Sequence, residues 1–174
     1  MITSAPRIKY GWLRAILFFI SFFIFIAVFD LIGIAIVSSI SEYSFEEYIS
    51  DTDLLMENKM MLLMMVSQLF GTLFTVWLFQ KFVNRESFTS IGLEFSGYKD
   101  DFVSGLLLGV GLIVLGFGTL YIFNFLSVAS IQFSLIDQLF YLSLFAVVSL
   151  NEEIAIRGYI LQNLSSSFNK YIAL

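Results

Sequence analysis

Four stretches of this chain are each long enough and apolar enough to cross a lipid bilayer, and that limits what it can fold into. They run at about Leu13–Val37, Met60–Val83, Phe102–Leu126 and Leu135–Leu164. A hydrocarbon layer about 30 Å thick takes about 20 mostly apolar residues in helical form. Lipid offers backbone groups no hydrogen-bond partner, so each stretch is predicted to be helical. Of 174 residues, 59% are hydrophobic and 13% charged, which leaves too little polar surface for a soluble domain. The expected fold class is all-α: a polytopic membrane helical bundle of about four transmembrane helices, forming one membrane domain over 1–174.

The chain has no cysteine and no histidine. Disulfides, thiolate sites, histidine-ligated metal and histidine acid–base chemistry are therefore excluded for these residues. No basic run points to nucleic acid. The cationic start "MITSAPRIKYGWLRA" leads into an apolar stretch too long for a cleavable signal, so it is expected to stay as a first anchor. Between the spans, "SSISEYSFEEYISDTDLLMENK" is acidic and is expected to carry a short surface helix. Lys and Arg number three in the N-terminal segment (Arg7, Lys9, Arg14), one in the first loop (Lys59), three in the second (Lys81, Arg85, Lys99) and none in the third. That alternation predicts a cytoplasmic amino terminus. The fourth helix then runs inward. Glu152 lies about 22 Å along it from Asp137, past the midplane toward the cytoplasm.

"SLNEEIAIRGYILQNL" (149–164) is the segment where charge enters an apolar helix. One charge at mid-bilayer costs about 2.5–3.5 kcal/mol on insertion scales, so three within six residues need a reason. Glu153 and Arg157 are four apart and share a helix face, which predicts an ion pair. If that pair is buried, breaking it costs about 3–5 kcal/mol. Glu152 points about 100° away and is left to face a cavity, where a carboxylate beside another carboxylate suits general-base work. The competing reading ends the helix near Asn151 and makes "NEEIAIRG" a solvated turn. The apolar face of "IAIRGYILQNL" argues against that turn.

"EEIAIRGYIL" resembles the first motif, E-E-x-x-x-R followed by Gly and an aromatic, of the CPBP family of intramembrane proteases. That family comprises the CAAX-processing endopeptidases and the bacterial Abi group linked to bacteriocin processing and self-immunity. Glu152, Glu153, Arg157, Gly158 and Tyr159 match in order. "FTSIGLEFSGYKDDFVSGLLLGVG" resembles the loop and glycine-rich helix that precede the motif in bacterial members, and the likeness covers about 60–174.

The resemblance implies an integral membrane endopeptidase of the bacterial plasma membrane, acting on a membrane-associated protein or peptide. Its catalytic residues here would be Glu152 as general base, with Glu153 and Arg157 orienting neighbouring groups. Relatives are often called metalloproteases, with zinc or another divalent ion. The one motif present fits a metal-free glutamate mechanism, so no cofactor is expected. The family's later motifs, F-x-x-x-H and H-x-x-x-N/D, have no counterpart, and Ile156 stands where relatives often carry an aromatic. The expectation is a chain that holds the first motif only, as a fragment, and is inactive alone. The alternative is a non-catalytic immunity or scaffold protein that binds another membrane protein.

Other features read more plainly. Gly105, Gly109, Gly111, Gly116 and Gly118 make a small-residue surface expected to pack internally. Asp30 is expected at the outer interface as a peripheral or capped carboxylate, with a cavity role as the alternative. The "MENKMMLLMM" cluster reads as a packed or lipid-facing helix start. Tyr10, Trp12 and Tyr121 read as interfacial anchors.

The topology is open to a direct check. Single cysteines at Ala5, Phe45, Ser90 and Ser130 should label from inside, outside, inside and outside. Labelling of Phe45 and Ser90 positions from one side would reject it.

Overall fold

The computed structural model describes residues 5–51, 53–54, 58–92, 99–130, 133–169 and 172. Among them the chain is helical and contains no strand. Helix α1 spans Gly11–Ser38, α2 Phe45–Ser50 and α3 Asn58–Phe79; α3 runs on as a π-helical turn, π1, over Gln80–Asn84. A 3-10 turn follows at Phe88–Ile91, then α4 at Lys99–Ile122. Helix α5 spans Leu135–Glu152 and widens into a second π segment, π2, over Glu153–Leu161; α6 closes the run at Gln162–Ser165. Four of these runs, Gly11–Ser38, Met60–Asn84, Lys99–Ile122 and Leu135–Ser165, are long and apolar enough to cross a membrane. The all-α membrane bundle expected from sequence is what the chain forms.

The chain divides into two compact units, one of 1–92 with 139–174 and one of 93–138. In the second, α4 carries Asp100 and Asp101 in its first turn, where the helix dipole favours acid. It stops at Ile122, earlier than hydropathy suggests. Asn124 takes a left-handed φ of 58°, Phe125 N–H reaches Leu120 C=O at 2.9 Å, and Asn124 N–H reaches Tyr121 C=O at 3.1 Å. This is a Schellman stop with asparagine in glycine's place. None of the glycines of α4 meets a neighbour within its own unit.

In the first unit, α1 and α3 pack antiparallel with their cross-contacts in step. Asp30 meets Gln68, Gly71 lies against the backbone of Ile26, and Phe18 meets Phe79. Gly33 abuts Ser67, and a Cβ on Gly71 would sit 3.2 Å from Ile26 Cα, so these two glycines let the helices approach closely. In this unit the close contacts are made by single glycines, one on each helix. Helix α2 lies over the far end, where Tyr48 packs with Ile34 and Met60. Its cap is reciprocal: Ser44 N–H donates to Glu47 Oε2 at 2.7 Å and Glu47 N–H donates to Ser44 Oγ at 3.3 Å. The bonds to Ser44 hold the Glu47 carboxyl below its ordinary pKa.

The core joins α1, α3 and π2. Phe18, Tyr159 and Phe79 form an aromatic trio: Phe18 stacks on Tyr159 at 4.2 Å, and Phe79 meets both rings edge-on at 5.5 and 5.7 Å. Beside it lies a buried polar knot. The Oδ1 of Asn84 accepts from Arg14 Nη1 at 3.1 Å and from Tyr159 OH at 3.2 Å, while its Nδ2 donates to Gln80 Oε1 at 2.7 Å. Arg14 Nη2 donates to Ser166 Oγ at 3.1 Å. Arg14, counted above as a flanking cation, therefore points into the bundle.

Asn84→Leu should cost about 2–5 kcal/mol, because it leaves Arg14 Nη1 and the buried Tyr159 hydroxyl without their acceptor. Denaturant titration in mixed micelles reads the loss. A change within about 1 kcal/mol would show that the knot contributes little net stability.

Candidate functional site

Glu152 is the last residue of α5 and Glu153 the first of π2. The sequence predicted one continuous α-helix through Leu164; the run is continuous to Ser165, but its backbone changes register at the two glutamates. A widened turn of this kind is rare and recurs at functional sites. Gly158, the glycine of the motif, is buried where the 3-10 turn crosses it. A Cβ there would stand 3.3 Å from both the carbonyl oxygen and the Cβ of Ile91, so that close crossing favours glycine.

The depth of the site is fixed by Asn151. Its Oδ1 accepts a hydrogen bond from Thr72 Oγ1, and Thr72 is the middle residue of the 25-residue span Met60–Asn84. Glu152 therefore lies next to the level of the middle of that run. One turn toward the far end, Gln68 Nε2 donates to Asp30 Oδ2 at 3.3 Å, and Asp30 Oδ1 is buried without a partner. Asp30 faces α3 and is half-buried, with one carboxylate oxygen capped by the Gln68 amide.

The three motif residues share a locality but not a surrounding. Arg157 Nη1 donates to Glu153 Oε1 at 3.0 Å, the i, i+4 pair that the spacing predicted. The pair is open: Arg157 is 72% and Glu153 53% exposed. The expected burial of this pair is corrected, because its own unit does not enclose it. Glu152 is exposed and makes no hydrogen bond or ion pair among the described residues. Among those residues no group of three or more His, Cys, Asp and Glu comes together to hold a metal ion.

No family model, curated protein or solved structure matches this chain. What the site can do rests on its own residues. Glu152 is an exposed carboxylate next in sequence to Glu153, whose Oε1 accepts from the Arg157 guanidinium.

Sequence reading missed Thr72, Gln68, Asn151 and Asn84. Their signal was present: Gln68, Thr72, Gln80 and Asn84 recur at multiples of four along one face of an apolar span. In lipid such a stripe marks a helix–helix contact.

Thr72→Val should cost about 1–3 kcal/mol, since it leaves the Asn151 amide oxygen without its donor. Arg157→Ala should cost about 2.5–3.5 kcal/mol, because it leaves the Glu153 charge unpaired at the depth of an apolar span. Thr72→Ser should restore the first loss. Melting curves of the three variants measure the losses, and a loss below about 1 kcal/mol for Arg157→Ala would mean that the pair faces water rather than lipid.

Proposed function

We propose that this chain supplies the glutamate-bearing part of an intramembrane endopeptidase of the CPBP type, cleaving a peptide bond in a membrane-associated protein or peptide. One observation carries the reading: an unpartnered carboxylate, Glu152, stands at mid-span beside the Glu153–Arg157 pair. Ionisable groups at that depth are costly and mark interior cavities and reaction paths. The resemblance of "EEIAIRGY" to the family's first motif supports the assignment.

In this reading Glu152 takes a proton from a water whose oxygen attacks the scissile carbonyl carbon. The tetrahedral intermediate then collapses, the C–N bond breaks, and Glu152 returns the proton to the leaving amine. Arg157, held by Glu153, orients groups around the reacting carbonyl. The oxyanion needs preorganised donors. In the family that role falls to histidines, and these 174 residues contain none. The reading therefore gives this chain half of a site. The alternating Lys and Arg counts and the bacterial form of the motif support a bacterial plasma membrane, with a cytoplasmic amino terminus.

The lack of histidine favours a second reading, a non-catalytic immunity or scaffold protein that binds another membrane protein. Fusing the chain to the histidine-bearing helices of a CPBP protease separates the two. The fusion should cleave a membrane-anchored reporter peptide. Glu152→Gln should abolish turnover and leave the melting curve nearly unchanged. Normal cleavage by the Glu152→Gln fusion would reject the general-base role. A folded, inert fusion that still retains a membrane protein would support the second reading.

A further inference from the structure

The first unit carries opposite charge at its two ends. Where α1 begins and π1 ends, Arg7, Lys9, Arg14, Lys81 and Arg85 gather, with Glu86 as the one carboxylate of the described residues in these segments. The far end holds Glu42, Glu46, Glu47, Asp51 and Asp53. Among the described residues none of the five cations forms an ion pair. Arg7 and Lys9 are exposed, yet their segment is fixed, because Arg7 N–H donates to Val83 C=O at 2.8 Å.

Directly below them, an apolar groove of about 220 Å³ runs between α1 and the π2–α6 run, lined by Ala15, Ile16, Phe19, Ile20, Ile160 and Leu164. A packed helix with side chains is about 10–12 Å across, so a groove of this size suits a methylene chain better. Trp12, one helical turn before Ile16 on the same face, is 40% exposed, with the Tyr10 ring 6.2 Å away. Aromatic rings of this kind mark headgroup level.

We infer that this corner binds an anionic diacyl phospholipid, one acyl chain lying in the groove beside Ile16 and Leu164 and the headgroup held by Arg7 and Lys9 at the level of Trp12. The uncompensated charge selects an anionic headgroup, since a zwitterion brings its own cation. Each lysine or arginine close to an anionic lipid surface enriches that lipid by about fivefold.

The chain has two tryptophans, so Trp77→Phe leaves Trp12 as the sole reporter. That protein is reconstituted in phosphatidylcholine vesicles containing brominated-tail phosphatidylglycerol or, at equal mole fraction, brominated-tail phosphatidylcholine. The expected result is several-fold stronger quenching by phosphatidylglycerol, fading as salt rises. Arg7→Gln with Lys9→Gln, both exposed, should remove most of that preference without harming the fold. Wild-type protein should show the same preference at reduced amplitude, which covers a failure of Trp77→Phe to fold. Equal quenching by the two lipids would overturn the inference, because the groove then holds any bilayer lipid. Quenching by neither would also overturn it, with a protein segment covering the groove. A preference surviving the double variant would overturn the roles of Arg7 and Lys9.

Discussion

The first unit depends on a cation with no carboxylate. Arg14 is 7% exposed, its Nε has no partner, and its other nitrogens rely on an amide oxygen and a hydroxyl. A guanidinium removed from water without a counter-ion is costly. The surrounding structure limits that cost by bringing neutral dipoles to it from two other elements. Asn84 arrives at the end of π1 and Ser166 just past α6, so Arg14 can be satisfied only when α1, α3 and the last helix are all in place. The same Asn84 oxygen takes the Tyr159 hydroxyl, and Tyr159 is the ring stacked on Phe18. Aromatic packing and polar pairing thus specify one register. Sliding α1 by a turn against α3 would break both together.

That interdependence bears on how much the sequence disclosed. Span existence and type were legible because lipid length and backbone satisfaction leave one solution. The boundaries at Gly11–Ser38, Met60–Asn84 and Leu135–Ser165 fall within a few residues of the apolar limits. The third span ends at Ile122 because Asn124 enters the left-handed region, while hydropathy runs on through Phe123, Phe125 and Leu126. The glycine contacts of the first unit were not legible, because a lone glycine does not say which surface is approached. Gly33 and Gly71 are single glycines, each set opposite a specific neighbour. The Glu153–Arg157 contact was legible because it is local, needing only helical spacing. Its exposure was not, because exposure depends on which faces the rest of the unit covers.

The two π segments were invisible in sequence, and they lie next to each other. Asn84 closes π1, Tyr159 belongs to π2, and they share a hydrogen bond. Arg85 leaves π1 in the left-handed region at φ 60°, which a residue with a Cβ adopts at some cost. Glu86 N–H and Gln80 C=O close that turn at 3.1 Å. Both departures from α geometry thus occur where the polar knot is tied. Widened turns supply the extra residue that lets Asn84 and Tyr159 reach a common point.

Glu152 inherits its setting from this arrangement. Immediately before it, Asn151 is tied to Thr72 inside the bundle; immediately after it, the backbone widens into π2. The residue before the carboxylate is anchored, and Gly158 anchors the segment beyond it against Ile91. The short stretch between these two points carries all three motif charges, and it turns them outward from the first unit. A purely structural trio in lipid would be expected to turn inward and find partners, as Arg14 does with Asn84. Between these two anchored points the three charges lie open on the first unit, and Glu153 and Arg157 pair only with each other. Two ionisable residues of one unit are thus treated in opposite ways: Arg14 is enclosed and tied to neutral dipoles on two other elements, while Glu152 is left on an open face, so the helix contacts of the first unit do not run through the motif carboxylate.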